Sequence, residues 1–239
     1  ENRMFLESQA EAILDRPSVL TKAIDRSQHC QRNFDLSKTI PEADMKKMVH
    51  AVTQCPSKQN VALYEAHFVT NRDVIEEMHK TTQGFDYPDD NGEVAYQTNS
   101  QVLANLVVVF TKLPINDKLF ENEDVNYDVP MGYRSNAAVE WERGEISETE
   151  YKSLQRDQEQ AIGIAAGYIN LTASLGYGTG CCACFNPADL KTALGVDNEP
   201  ALMMGIGFKN PEKNRRIHQT EDFVFPTYKK QKISTKFVS

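Results

Sequence analysis

The stretch "NLVVVFTK", Asn105 to Lys112, constrains this chain more than any other. Its apolar residues are consecutive rather than alternating, and several are β-branched. Such a run has no polar face to turn toward water, so it predicts a central strand covered on both sides. A second run, "ALMMGIGF" from Ala201 to Phe208, has the same character and predicts another buried strand. "LYEAHFVT", Leu63 to Thr70, alternates instead, as a half-buried strand does.

Helical patterns surround these strands. Glu7 to Ile24 reads as a helical segment with a break near Pro17. In "TIPEADMKKMVHAVTQC", Thr39 and Glu42 have capping-box spacing, and Pro41 is tolerated in a first turn. Met45, Met48, Val49 and Val52 then recur at helical spacing, and the helix stops before Pro56. "DVIEEMHK" and "PADLKTAL" read as short helices. Ser147 and Glu150 open a helix through Tyr151 and Leu154, and a longer one follows from Asp157 to Leu175. That longer helix contains "AIGIAAGYINLTAS", whose Ala and Gly allow close helix contact. Residues 113–155 begin with a polar, turn-rich stretch and are expected to form an excursion or lid. The tail, 221–239, is expected to be an extended arm. The order of elements predicts an α+β fold, a mixed sheet flanked by helices. A length of 239 residues suffices for a substantial core, and one domain over 1–239, with 1–24 as an N-terminal helical segment, is expected.

The net charge of −8, from 26 Lys+Arg against 34 Asp+Glu, argues against a surface that coats nucleic acid. No apolar run approaches a membrane span, and the first residues lack the shape of a signal peptide. Five cysteines, three of them nearly adjacent, do not make a secreted disulfide framework. A reducing, cytoplasmic setting is expected.

Four stretches are candidates for chemistry. "GTGCCACF" holds Cys181, Cys182 and Cys184. Zinc needs four ligands, commonly in paired sets, and only one cluster exists, so no metal is expected. A nucleophilic thiol needs a base and a lowered pKa, and no histidine lies near in sequence. The favoured reading is small residues where something packs closely. Gly176, Gly178 and Gly180 suggest a phosphate loop, but the dinucleotide fingerprint requires a preceding strand, and a helix precedes here. Gly176 is therefore read as a helix stop. "CPSKQN", Cys55 to Asn60, offers a hydroxyl, a cation and two amides in one turn. "SQHCQRNF" and "PEKNRRIH" are separated basic clusters, either solvated charge or two sides of one anion site.

Taken in order, these stretches resemble the FMN-dependent nitroreductases. "QHCQRNF" is similar to the family's N-terminal flavin motif, and "PSKQN" to its Pro-Ser-x-x-Asn segment before a strand. "ANLVVVFTK", the small-residue helix ending in "LGYGTG", "LKTALGV", and "ALMMGIGFKNP" followed by an Arg-containing loop complete the correspondence over roughly residues 20–220. Gln28 stands where the family's leading Arg falls, with Arg26 nearby, and Cys30 where its Ser falls. The resemblance implies a mostly antiparallel central sheet and a homodimer with FMN at its interface, the C-terminal arm exchanged between subunits. It implies that Gln28, His29, Cys30 and Arg32 hold the flavin from one side and that Arg215 and Arg216 close on its phosphate. Pro56, Ser57, Lys58 and Asn60 would come from the partner subunit. "GTGCCACF" would be a loop passing the flavin ring, with Cys182, Ala183 and Cys184 lining the isoalloxazine. Asn99 or Gln97 corresponds to a polar residue ahead of the central strand. The implied activity passes two electrons from NAD(P)H through FMN to an electron-poor acceptor such as a nitroaromatic or quinone. It requires no catalytic side chain in the strict sense. Reductive dehalogenation, flavin fragmentation, and flavin binding without turnover remain open alternatives.

Overall fold

A computed structural model describes residues 19–60, 62–88, 91, 92, 94–113, 141–221 and 223–238. The central sheet contains β1 (Tyr64–Val69), β4 (Leu106–Lys112), β5 (Gly178–Cys182) and β6 (Glu199–Gly207), in the order β1-β4-β6-β5. Every pairing between these strands is antiparallel. The helices are α1 (Val19–Ser27), α2 (Glu42–Gln54), α3 (Arg72–Lys80), α4 (Glu148–Ser174) and α5 (Pro187–Leu194). A separate hairpin pairs β2 (Phe85–Pro88) with β3 (Val94–Gln97).

The apolar run behaves as its sequence requires. Leu106, Val108 and Phe110 face one core, with Met48 and Val52 of α2 and Ile162, Ala165 and Ile169 of α4. Val107 and Val109 face the other, with Ile75 and Met78 of α3 and Leu190 of α5. Five successive β4 residues, from Leu106 to Phe110, are 0% exposed. Each such side chain contributes about 1.5–3 kcal/mol by burial. The strand is thus the hub that both helical layers share.

Local rules set several helix ends. Asn71 caps α3, its side chain accepting from the backbone N–H of Asp73 and Val74. Asn186 caps α5 in the same way, and Gly195 ends that helix with φ 71°, where glycine has no Cβ to clash. Ser147 accepts from Glu150 N at the start of α4.

Four details differ from expectation. α2 starts at Glu42 with Pro41 as its cap residue and no side-chain cap, so Thr39 lies too far upstream to close a capping box. The two helices expected between Ser147 and Leu175 are one 27-residue helix, and Glu148–Gln155 belong to it rather than to the excursion. Leu175 ends α4 in right-handed conformation, so the stop does not use a left-handed glycine at Gly176. The stretch from Gly178 to Cys182 is an edge strand, not a loop. The expected helical residues 7–18 and the excursion's residues 114–140 lie outside the described residues.

Candidate functional site

The "QHCQRNF" stretch runs along the free edge of β5. Gln31 N donates to Thr179 O at 2.8 Å, and Cys30 bridges Thr179 in parallel sense. This approach explains the glycines better than a phosphate loop does. A Cβ on Gly178 would stand 2.9 Å from Gln31 Cγ, and one on Gly180 would stand 2.9 Å from Gln31 O. Gly176 meets nothing within 4 Å.

The second basic cluster comes to the same place. Arg32 N donates to Arg215 O at 3.0 Å, and Arg215 Nη1 donates to Cys30 O at 3.3 Å. Arg216 Nη1 donates to Phe225 O at 3.2 Å, and the Arg32 guanidinium lies 3.8 Å over the Phe225 ring. These residues line a cleft of about 420 Å³ together with Gln28 and His29. The tail from Pro226 to Lys230 forms part of its wall and adds Lys229 and Lys230. Two clusters some 180 residues apart, here Cys30 and Arg215, are thus one electropositive site. Each guanidinium carries five N–H donors, so a carbonyl contact orients it without exhausting it. This donor set suits a phosphate dianion. Arg26 does not line the cleft; its Nη1 donates to Leu175 O at 3.0 Å, at the end of α4.

One residue that sequence reasoning missed connects this cleft to the cysteine strand. Gln101 Oε1 accepts from Arg32 Nη1 at 2.8 Å. Its Nε2 donates to Asn99 Oδ1 at 3.2 Å and to Cys181 O at 3.4 Å. Asn99 Nδ2 in turn donates to Gln83 O at 2.6 Å, and Gln83 N donates to Cys184 O. Gln101 sits in a notch made by Gly180 and Gly205, which face each other across β5 and β6. A Cβ on Gly180 would come 2.7 Å from Gln101 Cβ, and one on Gly205 only 1.8 Å from Gln101 O. Gln97 to Gln101 are all polar, so nothing local in the sequence singles Gln101 out.

The cysteines are not built for nucleophilic work. Cys181 is exposed and Cys182 is buried, as neighbours on a strand point to opposite faces and cannot converge on one ion. Burial pushes the Cys182 thiol up to about 11. Cys181 is pushed to about 11 as well, first by desolvation from crowding neighbours, although its edge remains open to solvent. Cys30 is raised by burial, which outweighs the opposing pull of Arg32 and Arg215. At neutral pH these thiols stay protonated and weakly nucleophilic. Ala183 and Cys184 are exposed at the end of β5, and Ala183 lines a second pocket of about 370 Å³ with Phe185, Lys112 and Leu202.

Pro56, Ser57, Lys58 and Asn60 do not line the basic cleft. Lys58 Nζ meets Asp157 Oδ2 of α4 at 2.7 Å, and Asp157 is buried. Ser57 Oγ accepts from Ala62 N, while Asn60 (φ 56°) and Ala62 (φ 49°) are left-handed. For a residue with a Cβ such as Ala62 this costs about 1–2 kcal/mol, and strain of this kind concentrates at functional turns.

A pair of imidazoles, His218 buried and His79 half-buried, lies behind the cleft. Thr220 N donates to His218 Nδ1, which leaves the His218 proton on Nε2 to donate to Thr98 Oγ1 at 2.9 Å. The Thr98 hydroxyl then donates to His79 Nε2 at 3.0 Å. Both rings must be neutral in this arrangement. Burial, then His218 and Arg72, lower His79 to about 4. Burial also lowers His218, with Arg32 and Lys213 acting the same way and Glu221 opposing. Because the folded protein holds His79 deprotonated below its unfolded value, this stability is complete above about pH 6.5 and is lost as pH falls toward 4. Partial solvent exposure of the ring limits the loss to on the order of 1–2 kcal/mol. Thermal melts between pH 7 and pH 4.5 should show a decline that His79→Phe flattens; equal slopes for both proteins would exclude the histidine pair as its source.

Residues 26–208 match the model of the Nitroreductase family, and the chain belongs to that family. A search of curated proteins found no significant match. Among solved structures, the chain is similar to a protein from Staphylococcus epidermidis described as an NAD(P)H:FMN oxidoreductase, at 15% identity and TM-score 0.55, covering 82% of this chain and 89% of that one. It is similar to a nitroreductase family protein of Streptococcus pneumoniae, at 15% identity and TM-score 0.55, covering 86% and 92%. It is also similar to CLA-ER, an enone reductase of gut-bacterial fatty acid saturation metabolism, at 16% identity and TM-score 0.54, covering 82% and 91%. At these identities the likeness establishes a shared α+β fold. Membership of the family supports an oxidoreductase. No described helix is long and apolar enough to cross a membrane.

Proposed function

We propose that this protein is an FMN-dependent oxidoreductase that takes two electrons from NAD(P)H and delivers them to an electron-poor small molecule, such as a nitroaromatic or quinone. The observation that carries this is the convergence of Arg32, Arg215 and Arg216 on one cleft in a chain of the Nitroreductase family. When bound, FMN supplies the redox chemistry, and the protein supplies position and electrostatics. Arg215 and Arg216 hold the phosphate, with Gln28, His29 and Cys30 beside it. Arg32, oriented by Gln101 and by Phe225, fixes a positive charge that favours an anionic partner in the cleft. Asn99 and Gln101 hold the end of β5, so that Cys182, Ala183 and Cys184 present a narrow backbone edge to the ring.

Pro56, Ser57, Lys58 and Asn60 complete the site from a second copy of the chain. Exposed apolar residues on α1 (Val19, Leu20 and Ile24) and on α4 (Ile164 and Tyr168), two helices in mutual contact, support a homodimer through this face. Ile233, Phe237 and Val238 of the tail are exposed with no regular structure, which supports an arm exchanged with that second copy. Five unpaired cysteines support a reducing, cytoplasmic setting.

The direct test is an absorption spectrum of the purified protein before and after anaerobic addition of NADH or NADPH. A flavin band that bleaches with either donor is expected. A colourless protein that also fails to take up added FMN would sink the assignment.

A further inference from the structure

The cleft's arginines are held by a buried amide that does not line the cleft. Asn33 is 1% exposed. Its Nδ2 donates to two carbonyls of the second basic loop, Asn214 O at 2.7 Å and Ile217 O at 3.0 Å, which flank Arg215 and Arg216. Its Oδ1 is buried with no hydrogen-bond partner. An unpaired buried acceptor is costly, so this amide stands where it does for its donors. Two further amides fasten the same junction. Gln31 Oε1 accepts from Arg32 N at 3.0 Å and from Asn33 N at 3.3 Å. Gln219 Oε1 accepts from Phe34 N at 2.9 Å, just beyond the loop.

We propose that Asn33 is a positioning residue for anion recognition: its amide clamps the 214–217 loop so that Arg215 and Arg216 meet a phosphate pre-oriented. This rests on the assignment of the basic cleft to the FMN phosphate. The backbone of residues 214–217 makes no strand or helix. Without the clamp the loop keeps the contacts of Arg215 with Arg32 and Cys30 and of Arg216 with Phe225, but its two arginines are less firmly placed before binding, and affinity falls by that part of the ordering cost. The effect is confined to the phosphate, because Asn33 touches neither the β5 edge nor Gln101 in its side-chain hydrogen bonds.

Riboflavin, which has the same ring without the phosphate, separates this role from a general structural one. The protein is stripped of flavin, and fluorescence titrations with FMN and with riboflavin are compared for wild type, Asn33→Ala and Gln219→Ala. Gln158→Ala is the stability control, since the buried Gln158 Nε2 also donates to two carbonyls, Leu63 O and Leu113 O, away from the cleft. Asn33→Ala should weaken FMN on the order of tenfold while riboflavin stays within about twofold. Gln219→Ala should shift the ratio in the same direction by less, and it serves alone if Asn33→Ala does not fold. Gln158→Ala should leave the ratio unchanged. Equal loss of both flavins, or loss of neither, overturns the clamp. A wild-type protein that binds FMN no better than riboflavin overturns the phosphate assignment itself, and the clamp with it.

Discussion

Gly205→Ala is expected to destabilise the protein by at least about 3 kcal/mol, at the upper end of overpacking costs. The new Cβ would lie 1.8 Å from Gln101 O and 3.0 Å from Gln101 C. Both are backbone atoms of the short 3-10 turn Ser100–Val102, so no side-chain rotation relieves the overlap. Moving that turn away breaks the notch shared with Gly180 and withdraws Gln101 from Arg32 and Cys181. For a chain of this size the melting temperature should fall by roughly 6–12 °C. Gly176→Ala is the matched comparison, since nothing stands within 4 Å of its Cβ. Differential scanning calorimetry of the two variants decides it. Similar melting temperatures would show that the notch is not tight and that Gln101 does not depend on it.

The second large effect is on cofactor affinity. Arg215→Ala should weaken FMN binding by about 1.5–3 kcal/mol, the range for hydrogen bonds to charged groups, or roughly 12- to 150-fold. Arg215 is also tied to both ends of the cleft floor, through its Nη1 to Cys30 O and through its carbonyl to Arg32 N. The backbone contact survives the substitution, so the fold should persist and the loss should be local. Riboflavin affinity should change little, and the salt dependence of FMN binding should become shallower as one phosphate contact is removed. Equilibrium titration of the stripped protein at two ionic strengths measures both. Unchanged FMN affinity would place the phosphate elsewhere.

Much of the fold was legible along the chain because its signals are local. The apolar run from Leu106 to Phe110 has only one way to avoid water. Ser147 caps its helix by reaching three residues ahead, as its spacing to Glu150 implies. What failed was of two kinds. Thr39 and Glu42 have the right spacing for a capping box, yet α2 begins too late for Thr39 to cap it. The strand Gly178–Cys182 does not look like a strand along the chain, since glycine has low strand propensity, and its place after the helix suggests a loop passing the flavin. Its glycines are there because Gln31 and Gln101 pack where Cβ atoms would otherwise be, a constraint set by residues some 80 and 150 positions away.

The candidate site divides in the same way. The arginines at 32, 215 and 216 are visible as residue types, and the motif around Arg32 is visible as a pattern. That they share one cleft, that Phe225 lies beneath Arg32, and that Gln101 and Asn33 hold them depend on long-range contacts. The sequence alone determined the α+β layering, the central strand and the family resemblance, because hydrophobic periodicity and capping act over a few residues. Only the tertiary structure decided which polar side chains meet, since a buried amide such as Asn33 or Gln101 has no local signature. Its role is defined by the carbonyls and guanidinium that folding brings to it.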